Sequence, residues 1–91
     1  MGEIKIKYYT PFKEITHREE DFMPPNCERL ADLINLLNQK YNFQFDKKLI
    51  DQKTGRIKSG LTIFVSGKKA DLEHPLKDGD EVLFLGPIAG G

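Results

Sequence analysis

A single amphipathic helix between strand-patterned segments is the feature that most constrains how this chain can fold. Its apolar residues recur at spacings of three and four and form one stripe: Leu30, Leu33, Ile34, Leu37 and Tyr41. The polar residues Asp32, Asn35, Asn38 and Gln39 are expected to face the other way. We predict a helix from Cys27 to about Lys40 with Asn26 as its N-cap. Glu28 would then lie favourably at the positive end of the helix dipole.

Alternation of apolar and polar residues predicts a β-sheet as the layer that the helix covers. In the first predicted strand, Glu3–Tyr9, Ile4, Ile6 and Tyr8 alternate with Lys5, Lys7 and Tyr9. Further strands are predicted at Glu19–Met23, Leu61–Val65, Lys68–Leu72 and Glu81–Leu85, with turns at Ser66-Gly67 and Asp78-Gly79-Asp80. We therefore expect an α+β fold, a mixed sheet of four to five strands with one main helix packed across it.

Two stretches carry weaker signals. Pro11 interrupts the first strand, and a short polar stretch through Lys13-Glu14 leads to the second. Residues Asn42–Gly60 lack a periodic pattern and are expected to form a long polar connection. Its anchors would be the apolar side chains Phe43, Phe45, Leu49 and Ile50.

Composition narrows the functional classes. The 91 residues suffice for one domain, and the 14 basic residues are balanced by 14 acidic ones. The basic excess that drives binding to phosphate backbones is therefore missing, and we expect no nucleic-acid partner. No apolar run approaches the length of a membrane span or a signal peptide, so no membrane partner is expected either. The single cysteine, Cys27, excludes an internal disulfide and fits a reducing cytoplasm, where we expect the protein.

Residues that could carry chemistry are few. Cys27 could hold a persulfide, but a lone cysteine in the first turn of a helix is more often a small packed residue, although the helix dipole would lower its pKa. His17 and His74 lie far apart without other ligands at metal-binding spacing, so both are expected to be solvated and no metal site is predicted. Asp78 and Asp80 are expected to make a turn rather than a pair of reacting carboxylates.

The last predicted strand is apolar on both faces. Its run of Val82, Leu83, Phe84 and Leu85 exceeds what a sheet with one covered face requires. One explanation is a tight edge or a second small core under the long connection. The other is a patch on the open face that binds a partner.

Several segments together resemble a known family. Residues 75–82 read "PLKDGDEV", the chain then runs to its end as "LFLGPIAGG", and residues 63–70 read "IFVSGKKA". With "IKIKYYTPFKEI" near the start and the Leu-rich helix, the chain resembles the MoaD/ThiS group of ubiquitin-like sulfur carriers, the MoaD branch most closely. The resemblance covers nearly the whole chain, and the last 17 residues carry most of its specificity.

The resemblance implies a β-grasp (ubiquitin-like) domain over residues 1–85 and a flexible Gly-Gly tail over residues 86–91. It implies that a ubiquitin-activating-type enzyme adenylates the Gly91 carboxylate with ATP and that the product becomes a thiocarboxylate, so the chain binds no cofactor itself. Ala89 and Gly90 would thread the enzyme's channel. The two terminal glycines suit a narrow channel because they lack a Cβ and adopt backbone angles denied to other residues. In the MoaD branch a larger synthase subunit is the partner and a pterin precursor of molybdopterin accepts the sulfur.

The resemblance also orients the last strand. Alternation alone places Leu61, Ile63 and Val65 in the core and Phe64 on the other face. Matching Phe84 to a core position of ubiquitin places Val82 with it and turns Leu83 and Leu85 outward. We therefore expect a non-catalytic carrier whose partner surface comprises Phe64, Leu83, Leu85 and Ile88.

Other functions remain open from the sequence. The same tail chemistry serves a protein modifier that forms isopeptide bonds through Gly91, or a sulfur carrier for tRNA thiolation or thiamine synthesis. A plain interaction module with an incidental glycine end is the third class.

Overall fold

The computed structural model describes residues 3–10, 12–23 and 27–86. In chain order the elements are β1 (Ile4–Tyr8), α1 (Phe12–Thr16), β2 (Glu20–Met23), α2 (Leu30–Lys40), α3 (Gln44–Leu49), β3 (Thr62–Val65), β4 (Lys68–Ala70) and β5 (Glu81–Leu85). The five strands form one sheet in the order β2-β1-β5-β3-β4. β1 and β5 run parallel and every other neighbouring pair runs antiparallel. The prediction of an α+β fold with a mixed sheet under one main helix is confirmed.

The core lies between α2 and one face of the sheet. The α2 stripe supplies Leu30, Leu33 and Leu37, which are completely buried. The sheet contributes alternate residues of its two parallel central strands, which are also completely buried: Ile4, Ile6, Val82 and Phe84. Because side chains alternate along a strand, the residues between them lie on the opposite, open face.

The main helix begins three residues later than the sequence predicts. It starts at Leu30, its N-cap is Arg29 in an extended conformation, and the Asp32 carboxylate accepts a hydrogen bond of 3.0 Å from the Arg29 backbone. The predicted start at Cys27 is therefore wrong, and Asn26, the predicted cap, lies outside the described residues. The cause is tertiary, because the Leu30 and Ala31 amides donate to backbone carbonyls of residues 74 and 72, at 2.9 Å each.

Helix α1 lies where the sequence predicts only a polar stretch. Its first residue, Phe12, is completely buried, and its ring centroid lies 5.7 Å from that of Phe45 and 5.4 Å from that of Phe84. Five residues are too few for a reliable periodic pattern, and the one buried aromatic decides where the turn packs.

Helix α3 corrects the expectation of a long polar loop over Asn42–Gly60. Phe45 and Leu49, four residues apart, are completely buried and join the main core, as predicted for these two anchors. Phe43 is not an anchor, since 60% of it is exposed and its φ of 61° is left-handed. Asn38 was expected to face outward but is buried, because its Oδ1 accepts a 2.8 Å hydrogen bond from the Asp46 amide in the first turn of α3.

A buried carboxylate ties the edge strand β2 to the end of α2. Asp21, 5% exposed, accepts hydrogen bonds from the Tyr41 hydroxyl at 2.7 Å and from Lys40 Nζ at 2.9 Å. The Tyr8 hydroxyl donates a longer one, of 3.4 Å. Burial acts to raise the pKa of Asp21, but the hydrogen bonds from Tyr41 and Lys40 and the Lys40 charge outweigh it, so the pKa lies below its ordinary value. Burial and the bond to Asp21 raise the pKa of Tyr41 to about 12.

Candidate functional site

Strand β5 contributes to both faces of the sheet. Val82 and Phe84 are completely buried under the helices, whereas Leu83 and Leu85 are only half-buried on the open face. On β3, Ile63 and Val65 are buried and Phe64 is half-buried. The predicted orientation of both strands is therefore confirmed; Leu61, which was assigned to the core, is half-buried at its margin.

The register brings three of the four predicted partner residues together. Leu83 pairs with Phe64 on β3, and Leu85, two residues along β5 on the same face, pairs with Thr62. We call Phe64, Leu83 and Leu85 the open-face patch. The alternative of a second small core is not supported, because α3, which the long connection contains, adds its buried residues to the main core.

Lysines flank the open-face patch on both sides. Lys7 pairs with Leu83 from β1, and Lys69 pairs with Phe64 from β4. An apolar centre with a polar rim is the usual anatomy of a protein interface. These lysines were not among the predicted site residues, although the alternation in the first strand already placed Lys7 on the open face.

Two turns fix the start of β5. The Ser66 hydroxyl donates to Asp80 Oδ1 at 2.8 Å, and Asp80 Oδ2 accepts from the Lys77 amide at 2.8 Å. Ser66 and Gly67 both have positive φ, 48° and 86°, the backbone of a tight two-residue hairpin turn. The prediction that Asp78-Gly79-Asp80 makes a turn is confirmed, and this anchoring sets the register in which β5 runs toward the tail.

The tail itself begins at the edge of what the structure describes. β5 ends at Leu85, beside Thr62, and Gly86 is the last described residue. Ile88, Ala89, Gly90 and Gly91 lie outside the described residues. Their predicted roles, and the division into a domain over 1–85 and a flexible tail over 86–91, therefore stay predictions.

The structure also shows the surroundings of the other candidate residues, Cys27, His17 and His74. Cys27 is 5% exposed, and burial, followed by the charge of Asp32, raises the pKa of its thiol. The expected lowering by the helix dipole is wrong, because Cys27 precedes the helix by three residues and is buried. His17 is exposed and His74 is half-buried.

Neither a metal-binding cluster nor a membrane-spanning helix occurs in the described residues. Within residues 3–10, 12–23 and 27–86, no group of three His, Cys, Asp or Glu side chains is arranged to hold a metal ion. No helix in that part of the chain has the length and apolarity needed to cross a bilayer.

Comparison with solved structures places the fold among ubiquitin-like β-grasp proteins, as expected. Small archaeal modifier protein 1 from Methanosarcina acetivorans is 26% identical, with a TM-score of 0.75 over 100% of this chain and 98% of that chain. A putative molybdopterin converting factor subunit 1 from Pyrococcus furiosus is 24% identical, with a TM-score of 0.72 over 97% of this chain and 100% of that chain. The Amycolatopsis orientalis BexX/CysO complex contains a chain that is 16% identical, with a TM-score of 0.80 over 97% of this chain and 99% of that chain.

Comparison at the level of sequence is decisive for the family. No curated protein matches this chain. The family model of the ThiS family, however, matches residues 6–91, which include every strand and helix except the start of β1 and extend through Gly91. The resemblance to the MoaD/ThiS group is thereby confirmed, and the chain belongs to the ThiS family.

Proposed function

We propose that this protein is a sulfur carrier whose Gly91 carboxylate is activated in trans and then donates sulfur in molybdopterin biosynthesis. The observation that carries the proposal is the family match, which extends through Gly90 and Gly91. The half-buried apolar residues of β5, the strand that leads to the tail, support it.

The proposed chemistry uses the chain as a substrate. A carboxylate is a poor electrophile, so a ubiquitin-activating-type enzyme joins the Gly91 oxygen to AMP from ATP and releases pyrophosphate. The terminal sulfur of a persulfide then attacks the carbonyl carbon and AMP leaves. A second thiol cleaves the resulting S–S bond and leaves a thiocarboxylate on Gly91. The chain thus serves as a non-catalytic subunit, in the cytoplasm, and needs no bound cofactor.

The open-face patch gives the partner a grip on the folded domain while the tail enters its channel. Ile88 would extend this surface along the tail, and Ala89 and Gly90 would occupy the channel. Completely burying one leucine or phenylalanine side chain is worth about 1.5–3 kcal/mol, and the three patch residues are already half-buried in the free protein. Their contribution is therefore smaller than the full value but sufficient to influence micromolar binding.

The alternative function is a protein modifier. It is favoured by the 26% identity to a protein named a small archaeal modifier, which is comparable to the 24% identity to the molybdopterin converting factor subunit. Intact-mass analysis of protein from its native host separates the two. A free species heavier by the difference between sulfur and oxygen supports the carrier, and a ladder of target conjugates supports the modifier.

Deletion of Gly90-Gly91 tests the proposal directly. The truncated protein should keep the melting temperature of the full chain, because none of the core residues lies beyond Phe84 in the described part of the chain. It should lose adenylation, measured as ATP–pyrophosphate exchange with the activating enzyme. Adenylation that persists without the two glycines would refute the role of Gly91.

Cys27→Ser is the matched control for the sulfur step. Its thiol is buried and its raised pKa keeps it protonated, so it is unsuited to relaying sulfur. The variant should therefore still acquire the sulfur mass on its tail. A variant that is adenylated but never gains sulfur would make Cys27 a relay.

A further inference from the structure

The positive charge of this neutral chain is concentrated in one segment. Residues 44–58, here called the basic lobe, contain five basic and two acidic residues, a net charge of +3. Because the whole chain carries no net charge, its remaining residues together carry −3. A neutral total therefore conceals a strong local asymmetry.

The basic lobe is a folded unit and not an extended charge run. It consists of α3 and a hairpin-like return in which Ile50 and Ile57 form an antiparallel bridge. The Lys58 amide donates to the Leu49 carbonyl at 2.8 Å, and Lys58 Nζ donates to the Lys47 carbonyl at 2.9 Å. The charges at the end of α3 are thus held beside those of the return.

In the part of the chain that the structure describes, no acidic side chain forms an ion pair with a cation of the lobe. Within the described residues, the ion pairs use only five basic residues, all outside the lobe: Lys5, Lys13, Arg18, Arg29 and Lys40. Inside it, Asp51 accepts from the Lys53 backbone amide at 2.8 Å, and Asp46 accepts from the Gln52 side chain at 3.5 Å. The five cations therefore remain available to an external anion.

The basic lobe lies at the end of the sheet where β5 releases the tail. The Leu61 amide donates to the Lys58 carbonyl at 3.2 Å, and the next residue, Thr62, pairs with Leu85. A cavity of about 730 Å³ adjoins it, lined by Arg56 and Lys58 from the lobe and by Lys69, Asp71 and Glu73 from β4 and the segment that follows it. Lys69 also flanks the open-face patch, so the charged and apolar surfaces are continuous.

We propose that the basic lobe docks an acidic segment of the protein that receives the tail. This inference rests on the proposed function for the identity of the partner, but the charge surface exists without it. An extended polyanion such as RNA would reach beyond the lobe into the field of the remaining −3 charge. A short acidic segment beside an apolar contact does not, because charges beyond about 10 Å are screened at 0.1 M salt.

Paired charge reversals of equal size test the surface. The lobe variant is Lys53→Glu with Arg56→Glu, both exposed and without side-chain hydrogen bonds in the described structure. The control is Lys68→Glu with Lys77→Glu, which changes the net charge equally at the opposite end of β5. The full chain is titrated with a deca-glutamate peptide and with a ten-nucleotide oligouridylate, followed by amide chemical shifts at 50 and 300 mM NaCl.

We expect deca-glutamate to shift amides of residues 44–58, to bind at least tenfold more weakly to the lobe variant, and to lose less than twofold with the control. Tighter binding of oligouridylate, shifts elsewhere, equal losses in both variants, or no binding would each overturn the proposal. The association rate of the activating enzyme is then measured for the same variants. Unchanged rate and salt dependence in the lobe variant would exclude docking there, whereas failure of the wild type to be adenylated would refute the proposed function alone.

Discussion

The side chains of β5 have different roles on the two faces of the sheet. On the helix-covered face, Val82 and Phe84 are completely buried, and Phe84 lies 5.4 Å, centroid to centroid, from both Phe12 and Phe45. On the open face, Leu83 and Leu85 of the same strand are half-buried beside Phe64 and lysines. Residues of similar hydrophobicity in β5 therefore have two roles. The covered residues stabilise the fold, and the open ones are exposed enough to bind.

The largest effect should separate adjacent residues of β5. Phe84→Ala removes a completely buried ring and should lower the free energy of unfolding by about 3–5 kcal/mol. Leu83→Ala, the truncation of the neighbouring side chain on the open face, should cost about 1 kcal/mol or less. Urea denaturation monitored by circular dichroism measures both. Equal losses at the two positions would mean that the faces do not differ as described.

An intermediate loss of stability should follow from changing Asp21, the buried carboxylate that ties β2 to the end of α2. Asp21→Asn keeps the shape but removes the charge that accepts from Tyr41 and Lys40, and should cost about 1–3 kcal/mol at neutral pH. Its dependence on pH has a definite sign. Because the folded pKa of Asp21 is lowered, its contribution is present above the unfolded-state pKa and is lost as pH falls through the folded pKa.

The measurement is a series of denaturation curves from neutral to acidic pH. The difference in stability between wild type and Asp21→Asn should shrink as Asp21 becomes protonated. Asp78→Asn, at an exposed position, is the control and should show almost no difference at any pH. A constant gap for Asp21→Asn across the range would show that the network acts through shape rather than charge.

Leu83→Asp should have the smallest effect on stability and the largest effect on binding. Leu83→Asp leaves the core intact and should keep the fold, since only the half-buried open face changes. Affinity for the proposed activating enzyme or the proposed synthase subunit should fall by about tenfold or more, because each 1.4 kcal/mol lost is a factor of ten. Calorimetry measures it, with Leu85→Asp as a second site on the same patch. Unfolding would place Leu83 in the core, and unchanged affinity would remove the patch from the interface.

Most of the fold was predictable because its long elements have strong periods. The α2 stripe and the alternation of β1 identified the layers, and the tail and turn motifs identified the family. Those signals are local: side chains three and four apart share one face of a helix, and alternate side chains share one face of a strand. The orientation of β5 could not be predicted from such a local signal, because its four consecutive apolar residues fit either face. That prediction came from the resemblance.

Only the tertiary structure decided those features in which a backbone or side-chain group is hydrogen-bonded by a partner that is distant in sequence. The start of α2 moved to Leu30 because carbonyls of residues 72 and 74 accept its first amides, and Asn38 turned inward to cap α3. The five cations of the basic lobe already lie close together in the sequence, but only the tertiary structure left them without ion-pair partners among the described residues. Periodicity is a property of neighbours along the chain, whereas capping, burial and charge balance depend on which distant segments meet.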